Sequence, residues 1–282
     1  MMGDSPMARL EALIFDVDGT LADTEEAHRQ AFNLAFLEFG LGWEWSAALY
    51  RELLGVSGGQ ERIAHYIGTL RLPAAEISQL RGIVPLLHST KTRIYKELVE
   101  GFRLPLRTGV ARLIREAREA GLKLAIASTT TPANVEALLS AALAPGSGRW
   151  FSVIASGDIV RRKKPEPDIY VSALQSLRLN AECCAAFEDS ENGLRAARAA
   201  GLFTVVTPTR WTAGQDFGAA QLVLESLGDA DRPLGIESQR RVGAPLLGVA
   251  QIERLHRLAG RGACHAVSTL PGAAGAAAST AA

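Results

Sequence analysis

The sequence predicts an α/β protein: a Rossmann-like parallel sheet flanked by helices, interrupted after its first strand by an all-helical insert. Three observations carry this. From about residue 108 to 225 short apolar runs alternate with amphipathic stretches of helical length, the pattern of a parallel sheet with helices on both faces. An opening apolar run, "LEALIF" (10–15), is followed by helical patterning up to residue 101 with no convincing strand. Chemistry-bearing residues then stand at the ends of the apolar runs, where an open parallel sheet binds its ligands.

The elements follow in order. "LEALIF" stops at the polar turn-formers "DVDGT" and reads as a buried strand entering a loop. Residues 24–39 place Ala27, Ala31, Leu34 and Ala35 at helical spacing, with Thr24 or Asp23 as N-cap and Gly40 as the stop. Further helices are predicted near 46–54, 59–70 and 75–99. After Gly101, a helix over 108–121 carries Val110, Leu113, Ile114 and Ala117 on one face. A strand over 122–128, a helix over 132–143, a strand over 151–156 and a helix over 166–177 continue the alternation. A strand at 183–188, a helix at 192–201 and strands at 203–207 and 221–226 complete it. The expected organisation is an α/β core of residues 8–22 and 102–230, a helical cap of residues 23–101, and an extension of residues 231–282. That extension has a helix over 249–259 and then a low-complexity tail, "GAAGAAASTAA", expected to be unordered.

Lysine plus arginine number 30 and aspartate plus glutamate 30, for a formal net charge of zero. Nothing global therefore points to nucleic acid or a membrane surface, and anion binding must come from a local site. No apolar run approaches the ~20 residues of a bilayer span, and "MMGDSPMARL" has no leader pattern. Cys183, Cys184 and Cys264 are too few and badly placed for a disulfide framework or a metal cluster. A cytoplasmic monomer acting on a small molecule is expected, with no nucleic-acid or membrane partner.

Asp16 and Asp18 end the first strand, Ser128 ends the second and is followed by Thr129 to Thr131, and Glu188 and Asp189 end the fourth. Lys163 and Lys164 precede Pro165 ahead of a helix. Each group alone also reads as a turn, a cap or a solvated loop. Carboxylates on neighbouring strand ends repel unless a cation sits among them, and a hard divalent ion with oxygen ligands, Mg²⁺, is the natural candidate. Residues i and i+2 of an extended chain face one side, so Asp16 and Asp18 can address one substrate, one as nucleophile and the other handling protons. Gly19 and Thr20 offer amides to an anion, and Ser128 and Lys164 would orient and neutralise a transferring group.

"DVDGT", the later Ser128, "KKPEPDIY" and "FEDSENGLRAARAAG" together resemble the haloacid dehalogenase superfamily, in the group with a helical cap inserted after the first motif. The resemblance runs from residue 10 to about 225. It implies an aspartyl-phosphate at Asp16, with Asp18 protonating the leaving alcohol and then activating water. It also implies that Ser128 and Lys164 hold phosphoryl oxygens. Mg²⁺ would be bound by Asp16, the backbone carbonyl of Asp18 and Asp189, with Glu188 close by.

Substrate choice in that family lies in the cap. Glu25 and His28 stand just past the catalytic loop. "GGQER" (Gly58, Gly59, Gln60, Glu61, Arg62) offers a glycine pair at a helix start and a cation one turn on, and Lys91, Thr92 and Arg93 follow on the last cap helix. On the core side Thr129, Thr130 and Asn134 could add hydroxyl and amide contacts. Trp43 and Trp45 are expected to seal the cap's own core. These cap segments resemble phosphatases that convert xylulose 1,5-bisphosphate, a Rubisco inhibitor, to xylulose 5-phosphate in support of the Calvin cycle. A β-phosphoglucomutase-like enzyme shares Thr24, His28, "GVS" and Lys91, but its pattern has arginine where Gly58 stands. A phosphoglycolate phosphatase is another option, and so is a silent sugar-phosphate-binding protein, which should have lost one of Asp16, Asp18, Lys164 or Asp189.

Overall fold

The computed structural model describes residues 9–102 and 104–267. Six parallel strands are ordered β3-β2-β1-β4-β5-β6: β1 Ala12–Phe15, β2 Lys123–Ser128, β3 Val153–Ser156, β4 Cys184–Glu188, β5 Phe203–Val206 and β6 Leu222–Val223. The central strand β1 is covered on both faces, which is why it reads as an unbroken apolar run. Leu13 and Phe15 enter one hydrophobic cluster, and Ala12 and Ile14 enter the other. Register brings the strand ends level: Phe15 pairs with Ile126 of β2 and with Phe187 of β4. Asp16, Ser128 and Glu188 therefore leave the sheet along one edge.

Among the described residues five helices form the insert after β1, ahead of the crossover helix that leads to β2: α1 Glu25–Glu38, α2 Ala47–Leu53, α3 Gly59–Thr69, α4 Ala74–Gly82 and α5 Val84–Phe102. Their shared interior is aromatic. Trp45 packs 4.6 Å from Phe32 and 4.9 Å from Phe36, ring centre to ring centre, and is fully buried. Trp43 lies edge-on to Phe36 and to Tyr66, so both tryptophans belong to this interior as expected. The single helix expected over 75–99 is two, broken at Ile83: Pro85 has no N–H to bond the preceding turn and fits only the first turn of a new helix.

The crossovers are α6 Val110–Glu119, α7 Pro132–Ala142, α8 Asp168–Leu177 and α9 Glu191–Ala199. The strand expected over 221–226 shrinks to two residues at the sheet edge. A short helix that periodicity did not announce, α10 Ile236–Val242, precedes α11 Val249–Val267, which runs past the expected 249–259. The low-complexity tail expected to be unordered, residues 272–282, lies outside the described residues. Among the described residues no helix is long and apolar enough to cross a membrane.

Arg112 of α6 ties the extension to the core by donating to the carbonyls of Leu227, Gly228 and Leu247, each at 3.0 Å. Its partner Glu116 accepts the Val249 amide at 2.8 Å and so caps α11. Gly109, at φ +84°, is pressed against the backbone of Leu227 and Gly228, where a methyl group would overlap the Gly228 carbonyl. Gly109→Ala combines left-handed strain with a backbone clash, and we expect it to lose about 2–4 kcal/mol of unfolding free energy. A urea titration followed by circular dichroism checks this; a midpoint within error of the parent would refute it.

Candidate active site

At the end of β1 the chain turns tightly: the amides of Thr20 and Leu21 both donate to the Val17 carbonyl, and the Gly19 amide donates to Ala22 at 2.8 Å. Gly19 takes φ +83° with its Cα against the Asp189 carboxylate, a space that any side chain would fill. Lys164 reaches in from the segment before α8 and donates to Asp16 Oδ1 at 2.7 Å and to Glu188 Oε1 at 2.6 Å, with all three side chains buried. The Tyr170 hydroxyl also donates to Glu188 Oε1. Among the described residues the second oxygen of Glu188, Oε2, is buried with no hydrogen-bond partner.

Burial pushes the Asp16 carboxyl up to about 8, with Lys164 opposing and Glu188 reinforcing. Burial, then Asp16 and Glu188, hold Asp189 well above the carboxylate range. Lys164 moves the other way from an ordinary buried lysine: desolvation favours its neutral form, but Asp16 and Glu188 outweigh it and raise its pKa. Oxygens of Asp16, Glu188 and Asp189 lie within 4.8 Å of one another, faced by the single Lys164 ammonium. Three carboxylates short of positive charge, one with an unpartnered buried oxygen, fit a small hard cation, and these three residues would hold it.

Asp18 lives in a different environment. Its Oδ1 accepts the Thr24 hydroxyl at 2.7 Å and faces His28 Nε2 at 2.8 Å. Burial pushes its pKa up, but His28, Thr24 and Lys91 outweigh that and hold it below the ordinary range. Its carboxylate stands outside the metal-type cluster of the other three. Thr24 occupies the N-cap position of α1 as predicted but makes no capping bond, because its hydroxyl is given to Asp18. His28 stacks on Tyr95 with 4.0 Å between ring centres, and its Nδ1 lies 2.5 Å from Lys91 Nζ. Lys91 is buried over the faces of Phe32 and Tyr95. Burial lowers its pKa to about 7; Asp18 and Glu25 work against that and Arg62 adds to it.

One cleft collects most of the predicted residues. Asp16, Asp18, Lys164, Asp189 and Ser128 line its floor, and Thr129, Thr130 and Asn134 line the side after β2. Asn134 donates to Thr130 Oγ1 at 3.1 Å, which leaves its own Oδ1 buried and unpartnered among the described residues. Glu25, His28, Gly58, Gly59, Arg62 and Lys91 line the face made by the inserted helices.

Four predicted residues do not line it. Glu188 lies beneath Lys164. Glu61 pairs with Lys163 at 2.8 Å, and Gln60 turns to Asp158 at 3.5 Å, both on the exposed rim. The Thr92 hydroxyl donates back to the His88 carbonyl of its own helix. Arg93 is likewise spent outside, on Glu38. The cleft also takes Ser57, His88, Ser190, Asn192, Thr212 and Gln215, which sequence reasoning missed. His88 stands three residues before Lys91, one helical turn away, and that spacing was the available signal. Thr212 and Gln215 come from the segment after β5, which reads as plain loop; only its place at a strand end marks it.

The model of the haloacid dehalogenase-like hydrolases matches residues 10–201 of this chain. The plasmid CbbY protein of Cupriavidus necator is 53% identical over 225 residues, covering 80% of this chain and 89% of that protein. CbbY of Rhodobacter capsulatus is 49% identical, over 78% of this chain and 95% of that one. Among solved structures, a mutant of CbbY from Rhodobacter sphaeroides in complex with xylulose-(1,5)bisphosphate superposes with a TM-score of 0.69 at 44% identity, over 79% of this chain and 98% of that one. The chain belongs to the haloacid dehalogenase-like hydrolases and is a CbbY-like phosphatase among them.

Proposed function

We propose that this enzyme is a Mg²⁺-dependent phosphatase of sugar bisphosphates that converts xylulose 1,5-bisphosphate to xylulose 5-phosphate and so clears a Rubisco inhibitor for the Calvin cycle. The observation that carries this is the double lining of one cleft: Asp16 with Lys164 on the floor, and a second set of cations, Arg62 and Lys91, on the facing helices. Such a cleft suits a substrate with a phosphate at each end, and the likeness to a CbbY solved with that bisphosphate agrees with it.

In this reading an Asp16 oxygen attacks phosphorus as the bond from phosphorus to the sugar oxygen breaks, leaving an aspartyl-phosphate. Asp18 has to enter this step protonated, and it gives that proton to the leaving oxygen. Water then attacks the acyl-phosphate while Asp18 takes its proton, and phosphate departs. The held-down, ionised Asp18 suits the water-activating half of that cycle. Lys164 keeps the attacking carboxylate in place, and Ser128 stands where it can bond a phosphoryl oxygen. Mg²⁺ held by Asp16 and Asp189, with the backbone carbonyl of Asp18 and with Glu188 close by, would supply positive charge to the buried acidic cluster of Asp16, Glu188 and Asp189. Glu25 and His28 stand on the cap face, ready for sugar hydroxyls.

Phosphate release should be measured with Mg²⁺ on xylulose 1,5-bisphosphate, ribulose 1,5-bisphosphate, phosphoglycolate and β-glucose 1-phosphate. We expect kcat/KM to favour the first by at least about a hundredfold; no preference would refute the substrate assignment and leave the phosphatase class standing. Asp16→Asn should lower kcat by about 10⁴ or more, and chelation with EDTA should abolish turnover until Mg²⁺ is restored. Retained activity in the first case would exclude the covalent route, and in the second the metal requirement.

The Lys91 environment gives a pH dependence. With a pKa near 7, Lys91 is charged below neutrality and neutral above it, so binding a phosphate beside it takes up a proton at higher pH. KM for the bisphosphate should therefore rise between pH 7 and 9, and Lys91→Met should flatten that rise while raising KM throughout. A parallel slope in the variant would assign the pH dependence to another group.

A further inference from the structure

Tyr50 of α2 is fully buried and does not line the cleft, yet its hydroxyl joins two groups that do. It donates to Glu25 Oε2 at 2.7 Å and accepts from Arg62 Nη1 at 3.0 Å. The ring is fixed from several sides: Phe32 of α1 at 6.2 Å, Trp45 of the loop between α1 and α2 at 6.1 Å, and Trp211, edge-on at 5.6 Å, from the segment after β5. Burial, with the Glu25 carboxylate next, pushes the phenol pKa well up, so Tyr50 keeps its proton and remains a donor toward Glu25.

Arg62 is held as firmly. Its Nε donates to the carbonyls of Leu53 at 3.1 Å and Val56 at 3.2 Å, and Nη1 donates to the phenol. Among the described residues Nη2 has no partner, although a guanidinium carries five donors. A carboxylate and a guanidinium brought this close ordinarily pair through two parallel hydrogen bonds, which would neutralise both. A phenol between them behaves differently, because one oxygen donates to the acid and accepts from the cation.

We propose that Tyr50 is a positioning residue for substrate choice: its hydroxyl spaces Glu25 from Arg62, leaving the guanidinium's free edge for the phosphate remote from Asp16 and the carboxylate for a sugar hydroxyl. The proposal rests on the bisphosphate reading above and assigns the device that keeps the second anion site open. Without the phenolic oxygen, Arg62 falls onto Glu25 and the remote phosphate loses its cation.

The test uses Tyr50→Phe in the full chain, which keeps the ring against Trp211 and removes only the oxygen. We expect KM for xylulose 1,5-bisphosphate to rise about tenfold with kcat within about threefold of the parent, and KM for phosphoglycolate, which has no second phosphate, to move less than about threefold. Equal shifts on both substrates, or none on the bisphosphate, would overturn the proposal. Glu25→Gln removes the charge that captures Arg62, so in the double variant the further loss caused by Tyr50→Phe should shrink to less than about threefold; a Tyr50 that only filled space would give additive losses. A crystal structure of Tyr50→Phe decides the same point without any substrate: a direct Glu25–Arg62 ion pair supports the spacer, and an Arg62 still apart from Glu25 overturns it. Should the parent enzyme show no preference for the bisphosphate, the substrate assignment fails, and that crystal structure still judges Tyr50.

Discussion

The Lys164 ammonium lies 2.7 Å from Asp16 and 2.6 Å from Glu188, and the carboxyl edge of the sheet is organised around that contact. Neighbouring strands β1 and β4 end on these two acids, and among the described residues no other cation forms an ion pair with either. Losing one partner of such a buried set costs about 3–5 kcal/mol, because the other is left charged and desolvated. The helix α8 that follows Lys164 is held against β2 and β3, and its Tyr170 adds a third contact to Glu188. Even the glycines on the edge follow from this cluster: Gly19 and Gly193 leave room for Asp189 and Glu188, which any side chain there would strike.

Asp16 and Asp18 are two residues apart, yet their acidities are driven in opposite directions. Asp16 faces two other acids with one shared ammonium, and its pKa rises to about 8. Asp18 faces His28, Thr24 and, behind them, Lys91, and is held low. The first environment is made by the sheet, the second by helices α1 and α5. Splitting the partners of one short loop between two bodies of structure gives two like groups two chemistries, and it ties the second to whatever occupies the helical face.

Much of this was legible because strand periodicity and strand-end chemistry are local. Asp16, Asp18, Ser128, Lys164, Glu188 and Asp189 each follow an apolar run or precede a helix, and the parallel topology brings them to one edge. What escaped depends on distant partners. Thr24 looks like a cap until the position of Asp18 is known. Gln60 and Glu61 share the "GGQER" segment with Arg62, but helical rotation sends them to Asp158 and Lys163 on the rim while Arg62 turns inward. Tyr50 reads as a core aromatic, which its ring is; only its hydroxyl, between groups 25 residues before it and 12 after it in the chain, belongs to the site.

The chain has no net charge, yet both acids and cations line this cleft, and their arrangement bears on what can enter. On the floor the acids outnumber the ammonium, so an incoming phosphate needs a cation in company before it can approach Asp16. On the helical face the balance is reversed: Lys91 is buried against aromatic rings, and Arg62 is anchored by two carbonyls and a phenol with donors to spare. An anion can bind there without metal. In the proposed bisphosphate reading, one end of the cleft would take a metal-bound phosphate and the other a bare one, and that asymmetry would orient the substrate before any chemistry begins.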